Sequence, residues 1–522
     1  MNVNLYGCDG KWLMVDLGMT FSGNEYPGVD LVFADLDFIE ERASDLAGIV
    51  LTHAHEDHIG AVPYFAAELG VPLYATPFTA RLVREKLREA GLLDTVEVKV
   101  IDHLDTFQLG PFSVRYVPLA HSIAEGNALV IDTPYGRIFH TGDWKLDDEP
   151  QIGTPTTAEE LTEIGDSGVL AMVCDSTNVL NPESSGSEGE VYRGLLREVE
   201  KHSGKRVLIT TFASNVARLQ TLGSIAKATN RQLCVAGRSL DRIIETAKAC
   251  GYLKDFPATV DFDAAMNLPR GEIMIVSTGG QGEPRAALAR VASGNHPISL
   301  DSGDVVLFSS RQIPGNEISI GRIQNQLAAK GIDIVTDRQA MIHVSGHPGR
   351  PELEALYQWI RPEILVPVHG EVRHMRAQAQ LGTARGIKAA VFQKNGDMVR
   401  LAPGKPGKFD EVRAGRLVLD GDIIAPADGE AMVMRRRLSF AGVVSVAVSA
   451  KGKARVTATG LPLEEDYARF VEEAESDVAK ALKSLRSSDP ADRHEAARLA
   501  ARRAATRWSG KKPQVQVLLL EE

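Results

Sequence analysis

Three histidines and one aspartate lie close together after the apolar run AGIVLT: His53, His55, Asp57 and His58. Imidazole suits zinc, and a carboxylate admits zinc or manganese. The spacing is not that of the helical HExxH pattern, whose two histidines stand at positions i and i+4. On a loop, His53 and His55 can point to one cation while Asp57 and His58 reach a second. The segment therefore predicts a site for two cations.

Metal-capable side chains also follow five other short apolar runs. Such runs are typical of buried strands, and in layered α/β folds functional groups gather just past the carboxyl ends of strands. The convergence predicts one site at one edge of such a fold. The five residues are Asp16 after KWLMV, His121 after FSVRYVP, Asp143 after GRIFHTG, Asp175 after VLAMVC, and His369 after PEILVPV.

A second α/β array interrupts this pattern before the last candidate ligand. The runs KRVLITTF, RQLCVAG, GEIMIVSTGG and GDVVLFSS alternate with helical stretches over about 150 residues, the size of a domain. The chain end has the order ββααβ and predicts a small α+β module. We therefore expect a first domain in two parts, 1–186 and 344–425, an inserted domain at 187–343, a linker at 426–435, and a C-terminal domain at 436–522.

The composition of the 522-residue chain is close to the globular average. Apolar residues make up 44% and charged residues 24%, which excludes a disordered or fibrous protein. We find neither an apolar run of about 20 residues that would cross a bilayer nor a secretory signal. The cysteines are too scattered for a disulfide framework or a CxxC zinc site, so we expect a cytoplasmic protein. They are Cys8, Cys174, Cys234 and Cys250.

The segment HAHEDH resembles the HxHxDH signature of the metallo-β-lactamase fold. An insertion that lies between CDSTN and HVSGH…PVHGE resembles the β-CASP group of nucleic-acid nucleases, with Asp175, His347 and His369 matching its motifs A, B and C. Together with TTFASN, these motifs are most similar to the bacterial ribonuclease J family. The resemblance covers nearly the whole chain, although family members usually carry a glycine-rich first strand before the segment NLYG, and this chain begins at Met1.

The resemblance implies a fold, an activity and partners. The expected fold is a metallo-β-lactamase αββα sandwich with an inserted β-CASP α/β domain and a small C-terminal α+β domain. The expected activity is metal-dependent hydrolysis of RNA, by 5′-to-3′ exonuclease and endonuclease action, in RNA maturation and decay, including rRNA processing. We expect two divalent cations, Zn²⁺ first and Mn²⁺ second, a substrate of single-stranded RNA with a 5′-monophosphate, and a homodimer or homotetramer formed through the C-terminal domain.

The resemblance also implies roles for individual residues. His53, His55 and His121 would hold one metal and Asp57, His58 and His369 the other, with Asp143 between them and Asp16 orienting a ligand imidazole. His347 would be the general acid and Asp175 would set its orientation. For Ser214 alone, a helix N-cap is the favoured interpretation. The residues expected to contact RNA or its phosphates are Ser214, Asn215, Ser309, Ser310, Arg311, His343, Ser345, Gly346 and His347.

Three other functions remain open from the sequence. A small-molecule hydrolase of the same fold would share the ligands but has no need of the insertion. A DNA-directed β-CASP nuclease would share the whole ligand set. A non-catalytic RNA-binding subunit would be indicated by degenerate ligands, whereas every expected ligand is present.

Overall fold

The computed structural model describes residues 1–23, 25–103, 105–312 and 315–520. The chain divides into two compact units, one of Met1–Met19 with Leu36–Ala414 and one of Thr20–Asp35 with Gly415–Glu522. The predicted domain boundaries stay predictions, because this division does not separate the inserted domain. Among the described residues, every helix is too short or too polar to span a bilayer.

The strands run through both units and are numbered in chain order. They are β1 (Asn4–Cys8), β2 (Lys11–Val15), β3 (Met19–Phe21), β4 (Leu31–Ala34), β5 (Leu46–Val50), β6 (Leu73–Ala75), β7 (Val98–Val100), β8 (Thr106–Leu109), β9 (Phe112–Pro118), β10 (Asn127–Thr133), β11 (Gly136–His140), β12 (Ala171–Asp175), β13 (Val207–Thr210), β14 (Gln232–Ala236), β15 (Thr259–Val260), β16 (Ile273–Ser277), β17 (Val305–Phe308), β18 (Asp333–Val335), β19 (Ile364–Val368), β20 (Ala389–Ala390), β21 (Asp397–Arg400), β22 (Gly407–Glu411), β23 (Arg416–Asp420), β24 (Ile423–Pro426), β25 (Val443–Val448), β26 (Ala454–Thr459) and β27 (Gln514–Leu519).

The α-helices lie between these strands. They are α1 (Asp37–Glu40), α2 (Glu56–Ile59), α3 (Val62–Leu69), α4 (Pro77–Glu89), α5 (Ala158–Asp166), α6 (Glu188–Lys201), α7 (Val216–Ala228), α8 (Arg238–Ala249), α9 (Phe262–Asn267), α10 (Ala287–Ala292), α11 (Glu317–Ala329), α12 (Arg350–Ile360), α13 (Val372–Ala384), α14 (Glu430–Ala441), α15 (Tyr467–Ser484) and α16 (Pro490–Ser509). Short 3₁₀ helices lie at Ala43–Asp45, Arg270–Glu272 and Glu464–Asp466.

Two sheets form the sandwich of the first unit. The five-stranded sheet has the order β1-β2-β5-β6-β7, and the seven-stranded sheet has the order β20-β19-β12-β11-β10-β9-β8. One buried apolar cluster joins their inner faces, with Leu13 and Val50 from the first sheet and Tyr116, Leu129 and Val366 from the second. Helices α5 and α12 cover the outer face of the seven-stranded sheet, and α4 packs on the five-stranded one. The αββα layers predicted from the resemblance are confirmed.

The inserted array forms a separate parallel sheet. Its order is β15-β14-β16-β13-β17-β18, and its neighbouring strands pair in parallel throughout. The strands β13 and β16 are buried along their whole length, as expected for a sheet covered on both faces. The array enters the chain between β12 and β19, which are adjacent in the seven-stranded sheet. The predicted insertion into the metal-binding fold is therefore confirmed.

The second unit contains the small C-terminal module in the predicted ββααβ order. Its sheet, β26-β25-β27, packs against α15 and α16 through a core that includes Val446, Phe470 and Ala501. A further sheet has the order β24-β23-β4-β3. Two arginines of helix α16 form ion pairs within the module: Arg507 donates to Glu473 and Asp477, and Arg498 donates to Glu495.

Candidate metal centre

The candidate ligands lie where strands of the two sheets end. His53 and His55 follow β5, His121 follows β9, and His369 comes directly after β19. Asp143 follows β11 in the turn His140–Asp143, in which Gly142 has a φ of +55°. Because these strand ends meet at one edge of the sandwich, residues far apart in sequence are brought together.

Four residues form the first group, which we call the three-histidine group: His53, His55, His121 and Asp143. One donor atom of each lies within 4.8 Å of the others. His55 Nδ1 lies 3.0 Å from His53 Nε2 and 3.1 Å from His121 Nε2. The other ring nitrogens are engaged by oxygen atoms, since His53 Nδ1 lies 3.0 Å from the Thr52 hydroxyl and His121 Nδ1 donates to the Gly346 carbonyl at 2.7 Å. Their Nε2 lone pairs therefore face the cluster.

The second group, which we call the mixed group, consists of Asp57, His58, Asp143 and His369, again within 4.8 Å of one another. His58 Nε2 lies 3.2 Å from Asp143 Oδ2, and His369 Nε2 lies 3.1 Å from Asp57 Oδ2. Asp143 belongs to both groups, so its carboxylate stands where one side chain can serve two cations. The donor set of nitrogen and carboxylate oxygen fits divalent zinc or manganese.

Asp16 is placed against the ring of His58. Its Oδ2 accepts from His58 Nδ1 at 2.7 Å, and the carboxylate also accepts from the backbone N–H of Thr52 at 2.8 Å. This contact keeps a proton on Nδ1 and directs Nε2 toward Asp143. Hydrogen bonds of this kind set both the tautomer and the ring orientation of a ligand histidine.

The two groups differ in electrostatics. Burial lowers the pKa of His55 to about 4 and brings the pKa values of His53 and His121 well below the ordinary histidine value, so these rings are neutral at pH 7. Burial also lowers the pKa of His58, but Asp143, Asp57 and Asp16 outweigh it and raise that pKa to about 10. The neutral rings of the three-histidine group can donate lone pairs to a cation. The ring of His58, in contrast, lies among carboxylates that raise its pKa.

A third cluster, formed by Asp175 and His347, adjoins the mixed group. His347 Nδ1 donates to Asp175 Oδ2 at 2.7 Å, and the rings of His347 and His369 are stacked with centroids 5.4 Å apart. Burial lowers the pKa of His347, but the buried Asp175 carboxylate outweighs it, so the net shift is upward. Asp175 itself keeps a pKa well below the ordinary value: its burial would raise that pKa, and His347 and His369 outweigh the burial.

The segment from His343 to His347, which we call the His343 segment, reaches the three-histidine group through Gly346 and His347. Gly346 approaches His121 so closely that a Cβ atom there would lie 3.0 Å from His121 Cε1. Asn178 Nδ2 donates to the Ser345 hydroxyl at 2.6 Å and to the His347 carbonyl at 3.1 Å. Nδ1 of His343 is buried and has no hydrogen-bond partner among the described residues. Of the residues predicted to contact RNA, Gly346 and His347 therefore lie at the cluster, with Ser345 beside them, whereas His343, within the part of the chain that the structure describes, makes no hydrogen bond or ring contact with the ligands.

The other predicted RNA-contacting residues have mostly structural partners. The N-cap of α7 is Asn215, whose side chain accepts from the Arg218 N–H at 2.8 Å, so the interpretation of Ser214 as the cap is wrong by one residue. Ser309 is buried, accepts from Arg218 and donates to the Ile342 carbonyl. Ser310 is buried and its hydroxyl lies 3.3 Å from the Gly280 carbonyl, while Arg311 is exposed.

Two neighbours of the cluster, Thr177 and Asn2, and one residue behind the His343 segment, Arg218, were missed by the sequence reasoning. The Thr177 hydroxyl lies 2.6 Å from Asp175 Oδ1 and 2.9 Å from His369 Nδ1, so it links the mixed group to the third cluster. Arg218, fully buried and paired with Glu188, donates to the Ile342 carbonyl just before the His343 segment. Thr177 could have been found from the sequence, because it lies in the motif CDSTN. No sequence motif marks Arg218, nor Asn2, whose side chain contacts Asp57.

Glu352 is a buried carboxylate that joins the backbone just after the His343 segment to two other segments of the chain. It accepts from the N–H groups of Leu146 (3.1 Å), Ser185 (2.8 Å) and Gly349 (2.6 Å), and from the Ser185 hydroxyl (2.6 Å). Removing it would leave buried donors without an acceptor.

We expect Glu352→Ala to lower the free energy of unfolding by about 3 kcal/mol, because each orphaned buried donor costs roughly 1 kcal/mol or more. Urea unfolding followed by circular dichroism measures the change. Glu354→Ala is the matched control on the same helix, since Glu354 makes a partly exposed ion pair with Arg385. Equal losses in both variants would contradict the structural role of Glu352.

Four family models match the chain in order. They are the metallo-beta-lactamase superfamily at residues 2–166, the ribonuclease J beta-CASP domain at 204–327, the Zn-dependent metallo-hydrolase RNA specificity domain at 331–392, and the ribonuclease J C-terminal domain at 430–522. The third includes the His343 segment and His369. The order matches the interrupted fold described above.

Whole-chain relatives and one solved structure agree with these models. The chain is 42% identical to ribonuclease J of Sinorhizobium meliloti and 37% identical to ribonuclease J of Mycolicibacterium smegmatis, each over 99% of this chain and 94% of the relative. A crystal structure of a protein of unknown function from Enterococcus faecalis shares the fold, with a TM-score of 0.52, 17% identity, and coverage of 75% of this chain and 94% of that one. By whole-chain identity and by the order of its domains, this chain belongs to the ribonuclease J family.

Proposed function

We propose that this protein matures and degrades RNA by 5′-to-3′ exonuclease and endonuclease cleavage. The proposed site of cleavage is the centre formed by the three-histidine group and the mixed group. The protein is a metal-dependent ribonuclease of the ribonuclease J family, a hydrolase that acts on the phosphodiester bonds of RNA. The observation that carries the proposal is the shared carboxylate of Asp143, which places two sets of cation ligands side by side.

The proposed ligands fall into the same two groups as the observed contacts. His53, His55 and His121 hold one cation, Asp57, His58 and His369 hold the other, and Asp143 serves both. We propose Zn²⁺ as the bound cation, with Mn²⁺ as the alternative, because the centre is rich in imidazole but also contains carboxylates. Paired divalent cations activate water and neutralise charge on an attacked phosphate. Asp16 keeps the Nε2 atom of His58 directed into the centre.

His347 is the proposed general acid. Its Nδ1 is held by Asp175, so Nε2 is the atom that can deliver a proton to the departing 3′-oxygen of RNA. Asp175 also raises the pKa of His347, which favours the protonated form of the imidazole. Thr177 donates to the other oxygen of Asp175 and contacts His369. These contacts fix the position of His347 relative to the mixed group.

The proposed substrate is single-stranded RNA with a 5′-monophosphate. The His343 segment supports this, because it places the Gly346 backbone and the His347 imidazole beside the ligands. Asn215 and Ser309 would act on RNA only indirectly, since their polar atoms already bind within the protein. Ser214, Ser310 and Arg311 stay candidates for contacts with neighbouring nucleotides.

We also propose a cytoplasmic homodimer or homotetramer assembled through the C-terminal module. The cysteines Cys8, Cys174, Cys234 and Cys250 are unpaired thiols, as expected in a reducing compartment. In the module, β27 is an edge strand of its sheet and carries the exposed Leu518, and α14 carries the exposed Phe440. Apolar side chains at a sheet edge are suited to pairing with a second chain.

The test is digestion of end-labelled single-stranded RNA before and after chelation. We expect release of nucleotides from 5′-monophosphorylated RNA, loss of activity when elemental analysis shows the cations removed, and recovery when Zn²⁺ or Mn²⁺ is added. Triphosphorylated RNA and a DNA strand of the same sequence serve as comparisons. Equal digestion of mono- and triphosphorylated RNA would contradict the exonuclease assignment, and preferential cleavage of DNA would contradict the substrate.

A further inference from the structure

Asn2 is anchored beside the mixed group by its main chain. Its N–H donates to the Asp57 carbonyl at 2.7 Å, and its own carbonyl accepts from the Gly18 N–H at 3.0 Å. The junction is tight, because a Cβ atom on Gly18 would lie 1.7 Å from the Asp57 carbonyl oxygen. Asn2 is therefore held to the segment that carries Asp57 and His58.

The side-chain amide of Asn2 points at two of the four residues of the mixed group. Its Nδ2 lies 2.9 Å from His58 Nε2 and 3.2 Å from Asp57 Oδ2, besides 3.1 Å from the Asp57 carbonyl. Within the group itself, the corresponding spacings are 3.2 Å from His58 Nε2 to Asp143 Oδ2 and 3.1 Å from His369 Nε2 to Asp57 Oδ2. The distances from the Asn2 amide to these donor atoms, 2.9 and 3.2 Å, are thus similar to the distances between the donor atoms themselves, 3.1 and 3.2 Å.

Spacings of this size are those of neighbouring ligands around one ion. Donor atoms that bind a cation at about 2.1 Å, and that subtend a right angle, lie about 3 Å apart. Nε2 is the nitrogen of His58 that can bind a cation, because Asp16 engages Nδ1. In the structure, the N–H end of the Asn2 amide faces this nitrogen and the Asp57 carboxylate.

The side-chain amide of Asn2 also carries a carbonyl oxygen, Oδ1, at its other end. Turning the group by half a revolution exchanges Nδ2 and Oδ1, and the carbonyl oxygen is a good ligand for hard divalent cations. A positive ion between Asp57 and His58 would repel the N–H end and attract the oxygen. The tether of the Asn2 main chain keeps the amide in place for either orientation.

We propose that Asn2 is an additional ligand of the cation held by Asp57, His58, Asp143 and His369, and that it binds through Oδ1. The inference rests on the proposed function only in taking those four residues as ligands. The two groups then differ in ligand type. The three-histidine group offers three imidazoles and one carboxylate, which suits Zn²⁺, whereas the amide oxygen raises the ligand number of the mixed group and makes it better suited to Mn²⁺ than the three-histidine group is.

The test is a metal-binding titration of the full chain, stripped of cations and titrated with Mn²⁺ by calorimetry and by electron paramagnetic resonance. We expect Asn2→Leu to weaken binding of the Mn²⁺ held by the mixed group, here called the second Mn²⁺, about tenfold or more, and to leave binding of the Mn²⁺ in the three-histidine group unchanged. Asn2→Asp should bind the second Mn²⁺ at least as tightly as the unmodified protein, because a carboxylate replaces the amide oxygen. Asn4→Leu, two residues along the chain, is the control and should bind as the unmodified protein does.

Unchanged binding of the second Mn²⁺ by Asn2→Leu would overturn the proposal. Tighter binding by that variant would overturn it as well, since the amide would then compete with the cation. If Asn2→Leu does not fold, as judged by circular dichroism, Asn2→Asp decides: weaker binding of the second Mn²⁺ than in the unmodified protein would reject Asn2 as a ligand. Each of these outcomes can occur while RNA cleavage persists, so failure here is separable from failure of the proposed function.

Discussion

Replacing His55 and Asp57 together by alanine is expected to abolish RNA degradation. The double variant removes one ligand from each group while leaving Asp143 in place, so both cation sites are weakened at once. Paired metal ions contribute several kcal/mol to transition-state stabilisation, and each 1.36 kcal/mol is a factor of ten in rate. The expected loss is therefore about 10³-fold or more, with elemental analysis showing fewer than two bound cations per chain.

Glu56→Ala is the matched control for this experiment, because Glu56 lies between the two ligands in sequence. Its carboxylate contacts Lys86 Nζ at 2.6 and 2.8 Å instead of joining either group. We expect the control to keep both cations and most of the activity. RNA degradation at the unmodified rate in the double variant would end the two-cation assignment.

Replacing His347 by alanine should separate proton transfer from cation binding. His347 contacts Asp175 and stacks on His369 but belongs to neither the three-histidine group nor the mixed group. Loss of a positioned general acid lowers turnover by about 10² to 10⁴-fold. We expect that loss in kcat, with both cations retained and with the pH profile of kcat/KM losing the limb that reports the acid.

Two further variants sharpen the result for His347. Asp175→Asn should lower kcat less than His347→Ala and shift the acidic group to a lower pKa, because the neutral amide no longer raises the pKa of the imidazole. His374→Ala, on helix α13, is the control histidine and should behave as the unmodified protein. A His347→Ala variant that loses cations along with activity would assign His347 to cation binding instead of proton transfer.

The sequence predicted the layered fold, the insertion and the residues that converge. Ligands that follow apolar runs can be found because strand ends share an edge, so His121 and His369 could be named before their neighbours in space were known. The family and the ribonuclease activity are confirmed by the comparisons. The ligand roles stay proposals, although the structure brings those side chains together.

What could not be predicted depends on contacts between segments distant in sequence. Glu352 is an ordinary glutamate near the start of a helix until Leu146 and Ser185 are seen to donate to it. Arg218 gave no signal because its partners, Glu188 and the Ile342 carbonyl, come from two other segments. The cap of α7 was misplaced because Ser214 and Asn215 are both good N-cap residues, and only the backbone decides between them.

The neighbouring position of β12 and β19 has a consequence for how the enzyme is made. A ribosome releases β1–β12 with His53, His55, Asp57, His58, His121 and Asp143, but His369 emerges only after the whole inserted sheet has been synthesised. Domains fold during translation from the N-terminus onward. The nascent chain can therefore assemble the three-histidine group early, while the mixed group and the proposed acid His347 are completed late. An unfinished polypeptide near cellular transcripts would thus be unable to hydrolyse them until β19 has paired with β12.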